Sequence, residues 1–350
     1  MNPGFRRRTY VLSAVLLMAL LTLTYRLVLK DYPLPSLRAA IDLADNWLLG
    51  LALLCAAGYV LGEAACIHTL LRALGQRLSY RSTLAISAVG VYFSAITPSS
   101  SGGQPAQVYY LSKRGVPAAQ GTVTLLVVTV VYKAVLLLVG LPLALLDGPI
   151  VFIGLPYFRV LFVLGIVTNL VLITSCLLLM FSKKLVYRLT AWALRLMERL
   201  RLQKKSRQAR EKLDRQLDEY HAAADFLRTH RRTVAGVAVY TVLQRLSVFS
   251  GAYCVYRAFG LRALNWLDVV AIQSAIALAV DSLPLPGAVG AAEGVFLGLY
   301  DSVYGPLLVV PALLLTRGAA YYVPALLCGA FTACYVLAGV LRRKKEREQV

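Results

Sequence analysis

Six long apolar runs constrain this chain more than any other feature: residues 10–29, 47–71, 122–146, 157–181, 234–258 and 323–341. Each comes close to or exceeds the ~20 helical residues needed to cross ~30 Å of hydrocarbon, where only a structure that satisfies its own backbone hydrogen bonds can survive. The expectation is an all-α, polytopic integral membrane protein. Composition agrees, with 59% hydrophobic and 15% charged residues, against about one quarter charged in soluble domains. Arg6, Arg7 and Arg8 precede the first run as in a secretory leader. The run is too long for one and no small-x-small cleavage site follows, so residues 1–30 read as a retained N-terminal anchor helix.

A net charge of +20 invites a nucleic-acid reading, but its distribution points to a membrane instead. Residues 182–232 hold 15 Lys/Arg and six Asp/Glu, an excess of nine positive charges between two apolar runs. Such a stretch stays on the cytoplasmic side. The Arg6–Arg8 cluster and the loop with Arg72, Arg77 and Arg81 join it, while the loops around Asp31, Asp42, Asp45 and Asp147 face outward. Helical order runs through the basic stretch: Leu185, Leu189, Trp192, Leu196 and Leu200 share one face, and Leu213, Leu217, Tyr220, Ala224 and Leu227 another. The stretch is expected to be an amphipathic linker at the inner surface of the cell membrane, with His221 and His230 solvated. Arg342, Arg343, Lys344 and Lys345 favour a cytoplasmic tail over residues 342–350, whereas two further crossings after Tyr300 would put it outside.

Shorter apolar stretches, at residues 83–96, 268–283, 291–300 and 307–315, fall below a comfortable span. The first runs into TPSSSGGQPAQVYYL (residues 97–111) and the second into PLPGAVGAAEG (284–294). Two prolines and two glycines in the first insertion cannot sit in one continuous helix. Each insertion has P-x-x-x-G spacing, Pro98 to Gly102 and Pro286 to Gly290, and then a carboxamide or carboxylate, Gln104 or Glu293. Interrupted segments at corresponding positions of two halves point to a transport site at an internal repeat. The expected organisation is a first membrane repeat over 31–181 with a broken hairpin at 83–111, the linker 182–232, and a second repeat over 233–341 with a broken hairpin at 268–300. Because 47–71 and 234–258 run in opposite senses, the repeats would be inverted and their re-entrant hairpins would meet near the midplane.

Glu63, Lys133, Arg245, Asp281, Glu293 and Arg317 lie within or beside these spans. A charge at a helix centre costs about 2.5–3.5 kcal/mol or more unless paired or hydrated. Asp281 and Glu293 flank the second break, which makes Lys133, Arg245 and Arg317 their natural companions. The six cysteines all fall in apolar runs without CxxC or histidine at ligand spacing, so neither zinc, a disulfide framework nor any cofactor is expected.

With these motifs on view, ITPSSSGGQPAQVYYLSKRGV (96–116) and LPLPGAVGAAEGVF (283–296) resemble the flippase-like membrane region of bacterial lysylphosphatidylglycerol synthase/flippase proteins, over about residues 10–341. The resemblance implies movement of a phospholipid between leaflets, and in bifunctional members a separate synthase domain. The family's first motif reads P-x-x-x-G-G-E with Arg three residues on; here those positions are Gln104 and Gln107. Taken together, the expected translocation residues are Pro98, Gly102, Gly103, Gln104, Gln107, Lys133, Arg245, Asp281, Pro286, Gly287, Gly290, Glu293 and Arg317. No catalytic residue is expected, since the chain carries no P-loop, GxGxxG, HExxH or DxD sequence. Expected partners are membrane phospholipids, anionic or aminoacylated, and not nucleic acid. A homo-oligomer is compatible with the sequence, as is a second role as the membrane partner of a separate lipid-modifying synthase.

Overall fold

A computed structural model describes residues 34–97, 100–146, 156–182, 188, 220–281, 283, 288 and 290–348. The described residues form helices and no strand. Five helical runs are long and apolar enough to cross a membrane: Asn46–Ala73, Ala118–Leu145, Tyr157–Phe181, Arg231–Ala258 and Ala291–Tyr335. The expected anchor at 10–29, linker residues 183–187 and 189–219, and Pro98, Pro286 and Gly287 lie outside the described residues.

The helices are α1 (Leu34–Asp42), α2 (Asn46–Ala73), α3 (Tyr80–Ala95), α4 (Gly103–Lys113), α5 (Ala118–Val135), α6 (Leu141–Leu146), α7 (Pro156–Phe181), α8 (residues 220–229), α9 (Arg231–Ala258), α10 (Trp266–Val280), α11 (Ala291–Arg317) and α12 (Val323–Glu348). Short π-helices, Leu136–Gly140 and Gly318–Tyr322, interrupt the runs after α5 and α11.

At the centre, α2 and α9 lie antiparallel and in close contact. The backbone N–H of Asp45 donates to Ala258 O at 2.9 Å at one end, and Cys66 Sγ reaches Val237 O at 3.7 Å toward the other. Between them Ser247 Oγ donates to Cys55 O at 2.7 Å and Gln244 Nε2 to Tyr59 O at 2.9 Å. Small residues permit this approach: a Cβ on Gly62 would stand 2.8 Å from the Cβ of Gln244. In a lipid environment close packing and interhelical hydrogen bonds hold helices together, since the surrounding chains are as apolar as leucine. The outer face of α7 shows what those chains would meet, with Val160, Val163, Leu164, Val167, Leu170 and Val171 all exposed. The cysteines are free; Cys66, Cys254 and Cys328 are buried, whereas Cys334 is exposed.

Helices α3 and α4 fold back on each other. Arg114 Nη1, just past α4, donates to Ser82 Oγ near the start of α3 at 2.7 Å, so the hairpin begins and ends at one level. The second pair is α10 and the first part of α11. Asn265 caps α10 and Asp268 returns a hydrogen bond to the Asn265 N–H at 2.7 Å, fixing where the helix starts. Gln273 Nε2 then donates across the pair to the Tyr300 hydroxyl at 3.1 Å. Tyr304, where the return ends, packs edge-on against Tyr256 and Phe259 at the close of α9. The two hairpins therefore open at opposite ends of the α2–α9 pair.

The short apolar stretches at 291–300 and 307–315 lie in two helices that meet at a kink, within a run of 45 residues to Tyr335. At 1.5 Å per residue that would span roughly twice the hydrocarbon thickness if it were straight. It turns instead at Gly305 (φ 70°, ψ 167°), a conformation only glycine adopts at little cost, followed by Pro306, which lacks the N–H to continue the ladder. The arm beyond that turn ends with Tyr335 against Arg114, whose Nη2 donates to the Tyr335 hydroxyl at 2.6 Å.

Beyond each π-helix the chain rests on the first arm of the other hairpin. Gly140 lies against Ser274 of α10, and Gly329 against Tyr92 of α3.

Candidate functional site

The two interruptions share a backbone feature. Ser100 and Ala288, each two residues after the proline of its P-x-x-x-G motif, have φ of 54° and 52°. Left-handed backbone in a non-glycine residue costs roughly 1–2 kcal/mol, so its recurrence at equivalent positions marks a geometry the fold imposes. At the first tip Thr97 Oγ1 accepts the Gly102 N–H at 2.9 Å and donates to Phe93 O at 2.6 Å, holding the chain as it enters α4. Gly103 then sits against Gly90 O, where a Cβ would come within 2.8 Å. At the second tip Gly290 has φ 88° and gives its N–H to Glu293 Oε2 at 2.6 Å, which starts α11.

Two ion pairs flank the second tip. Lys133 Nζ of α5 meets Asp281 Oδ2, at the end of α10, at 2.5 Å. Arg317 Nε meets Glu293 Oε1 at 2.9 Å, and the Tyr322 hydroxyl donates to the same oxygen at 3.3 Å. Glu293 is 2% exposed, so this carboxylate is held wholly by protein donors. Arg245 of α9 lies between two rings, its guanidinium carbon 4.8 Å from the centre of Tyr59 and 4.6 Å from that of Tyr132. Its Nη1 is 3.5 Å from the Tyr132 hydroxyl, while its Nε has no hydrogen-bond partner among the described residues. Lys133 also lies 5.2 Å above the Tyr132 ring, so that one aromatic joins the Lys133–Asp281 pair to Arg245.

Gln104 and Gln107 take separate partners. Gln104 Nε2 donates to Thr129 Oγ1 of α5. Gln107 Nε2, buried between α4 and α3, donates to Glu63 Oε1 at 2.6 Å, and Ser87 Oγ approaches the other carboxylate oxygen at 3.3 Å. The two halves meet where the Tyr321 hydroxyl donates to Ala95 O, at the end of α3, at 2.7 Å. Arg317 stacks over the same Tyr321 at 4.8 Å.

Of the sequence-predicted residues, the structure joins Lys133 to Asp281, Arg317 to Glu293 and Glu293 to Gly290, and places Arg245 beside the first pair through Tyr132. Gly102, Gly103, Gln104 and Gln107 stay with other partners: the glycines pack against Thr97 and Gly90, Gln104 meets Thr129 and Gln107 meets Glu63. Sequence reasoning left Glu63 outside the site and missed Tyr59, Tyr132, Thr129, Tyr321 and Tyr322. One signal was available: Arg317, Tyr321 and Tyr322 stand at i, i+4 and i+5, and Tyr132 adjoins Lys133, spacings that put aromatic rings next to intramembrane cations. His221, expected to be solvated, is buried, because α8 packs Tyr220, Ala223, Ala224 and Leu227 against the bundle. His230 is exposed and stacks on Phe226.

The arrangement holds three acids and three bases, Glu63, Asp281 and Glu293 with Lys133, Arg245 and Arg317. Such a set is near neutral as a whole. Residues 10–328 match the family model described as "Lysylphosphatidylglycerol synthase TM region". No curated protein matches the chain.

Proposed function

The chain belongs to the lysylphosphatidylglycerol synthase transmembrane-region family, and from that premise we propose that it is a flippase, moving a phospholipid between leaflets by passing the headgroup through the polar interior where its hairpins face each other. One observation carries this reading: charges that are costly within hydrocarbon are paired on both sides of the second interruption, Asp281 with Lys133 from the other half of the chain and Glu293 with Arg317. Irregular backbone at such depth needs a protein or wet surround, which is what a headgroup needs too.

The shared tip backbone at Ser100 and Ala288 and the reciprocal packing of Gly140 and Gly329 support two inverted repeats. On this reading the hairpins are re-entrant, one opening to each side. The excess of Lys/Arg in residues 182–232 sets the linker and the Arg114 end in the cytoplasm of a cell whose inner membrane holds the protein. A phosphate arriving from either side meets Lys133, Arg245 or Arg317, and competes with Asp281 and Glu293 for them. Gln104 and Gln107 offer hydrogen bonds where the family pattern has an acid and a base, so the first hairpin contributes polarity there without fixed charge.

Reconstitution into vesicles of phosphatidylglycerol and phosphatidylethanolamine, with a membrane-impermeant reagent reading headgroup exposure, tests the proposal. Wild-type protein is expected to expose inner-leaflet lipid to the reagent, and Arg245→Gln to lose most of that rate while Lys204→Ala in the linker keeps it. Equal rates in all three, or a rate no higher than in protein-free vesicles, would overturn it.

A further inference from the structure

Away from the charged centre, α5, α7, α8 and α9 enclose a groove of about 230 Å³. Its floor is a valine stripe on α5, Val127, Val130 and Val131, at the i, i+3, i+4 spacing that puts all of them on one helix face. Leu177 of α7 faces it. At the mouth stand Arg228 of α8 and Arg231 at the start of α9, both exposed, and among the described residues none of the lining side chains is acidic. Arg228 is steadied by the Phe181 ring, 5.8 Å from its guanidinium carbon. The groove is thus apolar along its length and cationic at one end.

We infer that this groove holds a diacyl phospholipid with an anionic headgroup, one acyl chain along the Val127–Val131 stripe and the phosphate between Arg228 and Arg231. Charge complementarity selects this occupant: guanidinium groups bind phosphate oxygens bidentately, and an uncharged lipid would leave both unanswered. A soluble phosphate would leave the apolar length unfilled. Helix α8 makes the site, because its buried Tyr220, Ala223, Ala224 and Leu227 fasten it to the bundle and its next turn delivers Arg228 to the rim. The linker's last helix is thereby a lipid-holding part of the protein. The inference does not rest on transport, since a protein that moved no lipid would still retain one here.

The full-length protein, purified in mild detergent after incubation with mixed phosphatidylglycerol and phosphatidylcholine, can be weighed by native mass spectrometry. Retained phosphatidylglycerol is expected to fall about five-fold for each arginine removed in Arg228→Gln and Arg231→Gln, the loss expected for one cation near an anionic surface. Arg77→Gln, an exposed arginine elsewhere, should leave retention unchanged. Leu177→Trp, which fills the groove without altering charge, should reduce retention of both lipids, and a soluble glycerophosphate in excess should not displace the bound lipid. Monodisperse elution of each variant confirms folding. Retention unaltered by the arginine pair and by Leu177→Trp, or reduced equally by Arg77→Gln, would overturn the site, and displacement by the glycerophosphate would overturn the diacyl occupant.

Discussion

The Tyr321 hydroxyl donates to the carbonyl oxygen of Ala95 at 2.7 Å, across 226 residues of sequence. That oxygen belongs to the last turn of α3, whose carbonyls have no partner within the helix. The bond thus closes the end of the first hairpin's leading arm with a side chain of the second half, four residues after Arg317.

Tyr321→Phe keeps the ring under the Arg317 guanidinium and removes only the donor. Ala95 is buried, so its carbonyl would be left unsatisfied at a cost of about 1–3 kcal/mol. Thermal unfolding of the purified protein should show that loss, whereas Tyr109→Phe, on an exposed tyrosine, should stay within about 0.5 kcal/mol of wild type. Equal stability of the two variants would mean that the halves are not held together at this point.

The tips offer a test of opposite sign. Ala288 at φ 52° bears the left-handed penalty of an L-residue, roughly 1–2 kcal/mol, while glycine there would bear only its greater loss of freedom on folding, roughly 0.5–1 kcal/mol. Ala288→Gly should therefore stabilise the protein by about 0.5–1 kcal/mol, and Ser100→Gly at the equivalent position should do the same. If the strain helps the tips to move, the relieved variants should also transport more slowly. Destabilisation by both would show that Ser100 and Ala288 contribute packing that outweighs their backbone cost.

The spans and the interruptions were legible because they depend on local chemistry: run length against hydrocarbon thickness, and proline and glycine against helix continuity. Tyr157–Phe181 and Arg231–Ala258 differ from their expected bounds by at most three residues. The pairing of charges was legible only as a set, since nothing local distinguishes Lys133 with Asp281 from Lys133 with Glu293. That choice is made by the packing, which brings Lys133 of α5 to Asp281 at the end of α10 and leaves Glu293 to Arg317. Glu63 was noticed as an intramembrane charge but left out of the site for a related reason: its partner is Gln107, an uncharged residue 44 positions away. The interruption of α11 was legible in outline, since the apolar stretches 291–300 and 307–315 stop on either side of it; that the turn itself falls at Gly305 was not.

Glu293→Gln looks neutral by volume, but the hydrogen bonds make it otherwise. The Glu293 carboxylate accepts on both oxygens, from the Gly290 N–H on one and from Arg317 Nε and the Tyr322 hydroxyl on the other. A glutamine amide has only one accepting side. Whichever way it turns, its NH₂ faces a donor, and Arg317 loses the carboxylate that balances it. Breaking a buried ion pair from one side costs about 3–5 kcal/mol, whereas removing both members is often nearly neutral. Glu293→Gln alone should therefore melt well below wild type, and Glu293→Gln combined with Arg317→Gln should recover most of the loss. Transport by the double variant then separates structure from mechanism. If the pair must open for a headgroup to pass, the double variant folds but moves lipid at a small fraction of the wild-type rate in the vesicle assay. Recovery of transport together with stability would reduce Glu293 and Arg317 to a structural clasp and shift the transport role to Lys133, Asp281 and Arg245.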